Sequence, residues 1–348
     1  MAAHLFSCDL FFAVIFSAFS VASTDPSPPP TPIISENLTL FSTTPATPPP
    51  PTTPATPPPP PPPAVSFDLY HKHFFERQFK DPESLLKSQL KRDAARVNYL
   101  ISLLSLPATS ELDQTSGNPF GAGFAGILGL SGAMDSQGVS QLSLPTQLRS
   151  TLFPLCHPFS SSATNSRLNF NIVPQLSGDN VTVPLVKNDA KIFYFIKLES
   201  FYIGFYVINI TPNTNWNGHV LVDTGTTFTR LPQSVYKLVR ESTRRWMAFK
   251  GLKLVDYPPR PFDTCYYLND ADVKDFPNVE LLFDQSLSAG ILYLSGEQVA
   301  VRFAHVVCLA FLPTDSYFIL GNTQLYGTAL TFNLSAMTLT LTGNFCNK

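Results

Sequence analysis

The run Val220-Leu221-Val222-Asp223-Thr224-Gly225-Thr226-Thr227-Phe228-Thr229-Arg230-Leu231-Pro232 limits what this chain can fold into more than any other stretch. Three apolar residues in a row read as a buried strand, and the Thr-Gly that follows allows the chain to turn tightly as it leaves that strand. The Asp223 carboxylate is thereby presented from a fixed backbone rather than from a loose loop. The motif occurs once in 348 residues. Any chemistry that needs two such carboxylates face to face must therefore find its second one elsewhere.

Not all of the chain can surround that turn. More than half of the 33 prolines lie at or before Pro63, whereas the 29 phenylalanines fall mostly outside that block, so the globular part begins after it. The apolar stretch from Leu10 to Ala22 is short for a membrane span and is followed by small residues. It reads as a secretory signal peptide over 1–23, with a short membrane anchor as the alternative. Residues 24–66 form a Pro/Ser/Thr-rich disordered linker whose composition cannot bury a core. It is read as a stiff solvated spacer, or as a glycosylated segment that associates with a cell wall.

Removal of a signal peptide would discard Cys8 and leave Cys156, Cys265, Cys308 and Cys346, an even set suited to an oxidising compartment. No spacing among them suits a zinc site, and His71 and His73 are the only close histidine pair. No metal and no cofactor is expected. Sequons at Asn37, Asn180, Asn209 and Asn333 agree with secretion and glycosylation. A formal net charge of -2 offers no field for nucleic acid.

Between Glu83 and Leu106 the residues Leu85, Leu86, Leu90, Ala94, Val97, Leu100, Leu103 and Leu104 recur near helical spacing among Lys87, Lys91, Arg92 and Arg96. This basic amphipathic helix is read as a core helix, a membrane-surface helix, or a propeptide laid over an acidic cleft; its place after signal and linker favours the last. Beyond Gly117 the texture is of short β-type runs broken by Gly, Pro, Asn and Ser. The strongest lie in 193–210, 220–222, 279–283, 291–294, 306–311, 318–320 and 329–341, with one good helix over 233–249. Two apolar runs, Gly126 to Leu130 and Phe318 to Asn322, carry a glycine that permits close backbone approach, as a duplicated architecture would need.

Taken in order, Phe124 to Leu130, Leu142 to Leu148, Asp223 to Pro232, Phe262 to Tyr266, Val306 to Phe311, Phe318 to Asn322 and the closing Cys346 resemble the plant pepsin-like aspartic proteases of the nepenthesin group. The resemblance implies a mostly β, pepsin-like aspartic protease fold with an intact C-terminal lobe and an incomplete N-terminal lobe. It divides the chain into a propeptide-like helical segment over 67–110, a remnant of the N-terminal lobe over 111–192 and the C-terminal lobe over 193–348. It makes Asp223 catalytic, with Thr224 bracing the loop against its counterpart, Gly225 allowing the turn and Thr226 hydrogen-bonding the carboxylate. It also implies disulfides Cys265–Cys308 and, across the lobes, Cys156–Cys346.

The same resemblance exposes a gap. Between Leu106 and Asn118 there is no first Asp-Thr-Gly loop and no flap, and Asp113 and Asp135 sit in contexts that read as solvated loops. Peptide hydrolysis of this kind uses two carboxylates that share one proton. The expectation is a secreted aspartic-type endopeptidase family member, as a zymogen, that is impaired because only one catalytic loop is present: a truncated, mis-spliced or degenerate form. Activity would need a partner, or a dimer pairing two Asp223 loops, which is disfavoured because half of a different lobe would have to move aside; a non-catalytic module binding protein or polysaccharide in the cell wall or apoplast is the alternative function. A polypeptide substrate or protein ligand is the expected partner, with no stable membrane span after signal cleavage.

Overall fold

A computed structural model of the chain describes residues 61–62, 64–69, 82–105, 130, 143–158, 166–175, 178–186, 193–210, 218–283, 290–343 and 346. The signal stretch, Cys8, Asn37, His71, His73, Asp113, Asp135 and Gly126 to Gly129 lie outside the described residues.

Two elements precede the β-rich body, the strand β1 (Val65–Leu69) and the helix α1 (Pro82–Ser105). β1 takes in Val65 and Ser66, which composition alone assigns to the linker. A one-turn helix α2 (Leu144–Gln147), capped by the Ser143 hydroxyl on the Thr146 N–H, leads into β2 (Leu152–Cys156), β3 (Ser166–Phe170) and β4 (Asn180–Pro184). The hairpin of β5 (Phe195–Ile203) and β6 (Tyr206–Asn209) turns at Gly204, whose φ of 56° divides what the sequence presents as one apolar run. Then come β7 (His219–Val222), β8 (Thr229–Pro232) and the helix α3 (Gln233–Phe249). The rest is β9 (Cys265–Tyr267), β10 (Val279–Phe283), β11 (Ile291–Leu294), the one-turn α4 (Gly296–Val299), β12 (Ala300–Phe303), β13 (Val306–Leu309), β14 (Phe311–Thr314), β15 (Phe318–Leu320), the one-turn α5 (Asn322–Leu325), β16 (Ala329–Asn333) and β17 (Thr338–Thr342).

These strands make three sheets among the described residues. The six-stranded sheet runs β1-β3-β2-β16-β17-β4, so that β1 closes one edge with Val65 opposite Phe170. Its buried face stacks Phe153 on Phe332, with ring centroids 4.8 Å apart, and Tyr194 on Phe332 at 4.6 Å. The Tyr194 hydroxyl donates to the Leu130 carbonyl at 2.7 Å, and burial pushes its ionisation far above the ordinary range. A disulfide between Cys156 and Cys346 ties β2 of this sheet to the end of the chain.

The eight-stranded sheet carries the order β11-β10-β5-β7-β15-β8-β14, with β6 added to β5. Within it β15 pairs in parallel with β7, setting Leu320 beside Val222, and β14 pairs in parallel with β8. Parallel neighbours need a crossover, and here the chain threads back between two strands that the Asp223 turn joins. A small third sheet, β12-β13-β9, is stapled by the disulfide Cys265–Cys308 between neighbouring strands.

Helix α3 follows directly from β8 and buries Val235, Val239 and Met247 against the core. Its Tyr236 hydroxyl and Arg240 both reach the Asp263 carboxylate, at 2.6 and 3.2 Å. Partial burial pushes that carboxyl up, but the hydrogen bonds from Tyr236, Thr264 and Arg240 together hold it below its ordinary value.

Candidate functional site

Asp223 stands at the end of β7, where Val220, Leu221 and Val222 are buried on both faces of the sheet. Its N–H donates to the Leu320 carbonyl at 3.1 Å, which carries the parallel ladder one residue past the strand. The returning chain then passes beneath the loop: the Gly321 N–H donates to the Thr229 hydroxyl at 2.9 Å, and the Asn322 N–H to the Thr226 carbonyl at 2.7 Å. A Cβ on Gly321 would lie 2.7 Å from the Phe228 carbonyl carbon and 2.8 Å from the Thr229 nitrogen. Glycine is needed there for space rather than for its dihedral freedom, since its φ is an ordinary -92°.

The carboxylate itself is enclosed. Asp223 is 1% exposed, Thr224 3% and Thr226 0%. Oδ2 accepts from the Thr226 hydroxyl at 2.6 Å and Oδ1 from the Gly225 N–H at 3.3 Å. The remaining capacity is taken by helix α1. Arg96 Nη2 donates to Oδ1 at 3.0 Å and Arg96 Nε to Oδ2 at 3.2 Å, a two-point clamp between groups that are both buried.

Three residues earlier on the same helix, Asp93 grips the far side of the turn. Its carboxylate accepts from the Thr227 and Phe228 N–H groups and pairs with Arg230. Helix α1 thus holds the loop with an acid and a base one turn apart, and its apolar residues close the rim. Val97 and Leu100 pack with Phe195, Leu221 and Ile319, while Leu86 packs with Phe228, Phe262 and the Cys265–Cys308 region.

Arg96 belongs to this buried stripe, not to the solvated basic face on which sequence periodicity places it. Lys87 and Lys91 are exposed and Ala94 is too, so the helix is rotated from the sequence reading. The overlooked sign was that Asp93 and Arg96 fall on the stripe of Leu86, Leu90, Val97 and Leu100 at helical spacing. A charge on such a stripe signals a buried partner.

No carboxylate hydrogen-bonds Asp223 among the described residues, and Asp93, the nearest acid by connectivity, spends its oxygens on Thr227, Phe228 and Arg230. The Thr224 hydroxyl is buried and has no hydrogen-bond partner among the described residues. Among the described residues helix α1 satisfies the carboxylate but not the Thr224 hydroxyl. Among the described residues no cluster of His, Cys, Asp or Glu could hold a metal ion.

Of the other residues singled out in the sequence, Asn209 is exposed at the end of β6. Asn180 is exposed while its side-chain carbonyl accepts from Thr342 at 2.6 Å, and that of Asn333 accepts from the Ala336 N–H at 3.0 Å.

Residues 193–342 match the family described as xylanase inhibitor C-terminal. Over its C-terminal part the chain resembles the plant aspartic proteases. It is 30% identical over 211 residues to the aspartyl protease AED1 of Arabidopsis thaliana, covering 58% of this chain and 42% of that one. It is 26% identical over 235 residues to the aspartic proteinase nepenthesin-2 of Nepenthes gracilis, covering 64% and 50%. The chain therefore spans about half the length of the curated relatives it matches.

Solved structures agree on the fold. The basic 7S globulin from soybean superimposes with a TM-score of 0.53 at 21% identity, covering 66% of this chain and 60% of that one. Conglutin gamma from lupine seeds gives 0.52, with the same identity and coverage. The fold is mostly β and pepsin-like, as these likenesses show.

Proposed function

We propose that this chain is an aspartic-endopeptidase-type protein of the secretory pathway whose single catalytic-type carboxylate is held shut by its own helix α1, and which has little proteolytic activity. The observation that carries the reading is the two-point Arg96 clamp on the buried Asp223 carboxylate. To act as a base, that carboxylate must accept a proton from an attacking water. Arg96 fills the acceptor positions and cannot give up its own proton. A second acid, needed to protonate the substrate carbonyl, is not hydrogen-bonded to Asp223 among the described residues.

The segment that carries α1 therefore acts as a propeptide-like cover over the C-terminal lobe. The disulfides Cys156–Cys346 and Cys265–Cys308 support secretion, and Asn180 and Asn209 are exposed glycan acceptors. Thr224, Gly225 and Thr226 support the catalytic-type loop, and a denatured polypeptide is the ligand class the loop would meet.

The test is incubation of the purified full chain with denatured protein in mildly acidic buffer, with and without a statine-type inhibitor. The reading expects no inhibitor-sensitive cleavage, from the parent chain or from Arg96→Met. Inhibitor-sensitive cleavage by the parent that disappears in Asp223→Ala would overturn it. Cleavage gained only in Arg96→Met would bear out the lock by helix α1 and refute the claim that the unlocked site lacks a second acid.

A further inference from the structure

On the opposite end of helix α3 from the site, the surface combines exposed aromatic rings with unpaired positive charge. Residues 233–262 hold seven basic and two acidic residues, and Asp263 and Asp275, which pair with three of those bases, bring the balance to +3 in a chain whose formal net charge is -2. Arg240 and Arg244 are engaged by Asp263, and Lys250 by Asp275. The other four basic residues of the stretch are exposed and have no carboxylate partner among the described residues.

Amid this charge stands a ring cluster. Phe205, at the tip of the β5–β6 hairpin, is 87% exposed, and Phe249, in the last turn of α3, is 89% exposed. The Trp246 ring centroid lies 5.7 Å from that of Phe205, and Trp246 precedes Phe249 by one helical turn. The hairpin tip is seated on that indole: a Cβ on Gly204 would fall 2.5 Å from Trp246 Cε3. The Trp246 indole N–H donates to the Asp275 carbonyl at 3.0 Å, which fixes the ring. Lys250 lies over the Trp246 ring at 5.9 Å and Arg245 over the Tyr206 ring at 6.0 Å.

We infer that this face docks on an anionic lipid surface, with Phe205 and Phe249 entering the boundary between headgroups and acyl chains and the basic side chains remaining among the headgroups. Two protruding rings without a polar atom gain free energy only where they leave water for an apolar phase. The flanking cations supply attraction to negative headgroups, and long basic side chains lying over aromatic rings can keep their charged ends in the headgroup layer. An acidic polysaccharide would satisfy the charge but gives fully solvated phenylalanines little to enter. An acidic protein partner would need an apolar counterpart as well. Spanning is not involved: among the described residues no helix is long and apolar enough to cross a membrane.

The experiment is co-sedimentation of the full chain with phosphatidylcholine vesicles that do or do not contain phosphatidylserine, at low and raised salt. Binding is expected only with phosphatidylserine present and should weaken as salt is added. Arg245→Glu is expected to lower the affinity by more than about fivefold, the value of removing one charge near such a surface. Phe205→Ser with Phe249→Ser is expected to lower it at least as much. Both rings are solvent-facing, so an unchanged thermal midpoint will show that each variant folds. Three outcomes overturn the inference: no binding to anionic vesicles at low salt, binding indifferent to the two phenylalanine substitutions, or equal retention on polygalacturonate, which would assign the face to acidic polysaccharide.

Discussion

Replacing Arg96 by methionine, which keeps the length of the side chain and removes the charge, isolates what holds helix α1 in place. The variant leaves the Asp223 carboxylate buried with only the Thr226 hydroxyl and the Gly225 N–H, at 2.6 and 3.3 Å, in place of four donors. Both partners of the lost pair are nearly inaccessible, at 1% and 2% side-chain exposure. Breaking a buried pair by removing one member costs about 3–5 kcal/mol, because the other charge stays desolvated. Against it stand the apolar anchors Leu86, Val97 and Leu100, each contributing about 1.5–3 kcal/mol by burial. The loss is of the same order as the anchoring, so the helix should open far more often, by roughly a thousandfold at about 4 kcal/mol. Hydrogen exchange of the α1 amides, read peptide by peptide, measures that opening. The control is Arg302→Met, which removes a half-exposed cation from Asp272 and Glu297 and should cost no more than about 1 kcal/mol. The double variant Arg96→Met with Asp223→Leu should recover most of the loss, since no charge is then buried alone. If Arg96→Met leaves α1 as protected as the Arg302→Met control does, the clamp is not what seats the helix.

Two further perturbations probe the same neighbourhood. Burial raises the Asp93 carboxyl above its ordinary value, outweighing the lowering by Arg230 and by the Thr227 and Phe228 amides. The folded state then binds more protons than the unfolded one between the two values, so this contribution to docking is full below the ordinary value and is lost as pH rises through the raised one. After correction for intrinsic exchange, α1 should lose protection as pH rises above the ordinary carboxyl range, and Asp93→Asn should remove that loss; protection that grows with pH in the parent chain would contradict this. Gly321→Ala forces the Phe228–Thr229 backbone aside and should cost about 1–3 kcal/mol or more, whereas Gly343→Ala, whose nearest neighbour would be Leu292 Cδ1 at 3.9 Å, should stay within about 0.5 kcal/mol. Equal urea midpoints for the two would show that the crossing has room to spare.

The parts of this arrangement that are written locally in the sequence are the ones that can be read from it. Val220 to Gly225 specify a strand and a turn within six residues, Phe318 to Gly321 announce a close crossing, and Val235, Val239 and Met247 lie one or two turns apart on α3. The rest depends on distant partners. Arg96 is 127 residues from Asp223, and its place on the stripe of Leu86, Val97 and Leu100 signals a buried partner without saying which one. β2 was hidden for a different reason. Pro154 has no N–H to give to a ladder and argues against an interior strand, yet it sits opposite Thr331 between β3 and β16. The β3 register reaches only Leu155 and Cys156 on that side, so the missing donor falls where the pairing has already ended.

The edge strand β1 and the clamp on helix α1 set the order of synthesis against the order of assembly. Val65 finds its mate only at Phe170, and Arg96 has no counter-charge until Asp223 has left the ribosome. Loop closure over such separations is slow, and the partner sheet needs β16 and β17 from the far end of the chain. A nascent helix with Leu86, Val97 and Leu100 uncovered must therefore wait through most of translation with its apolar stripe in water.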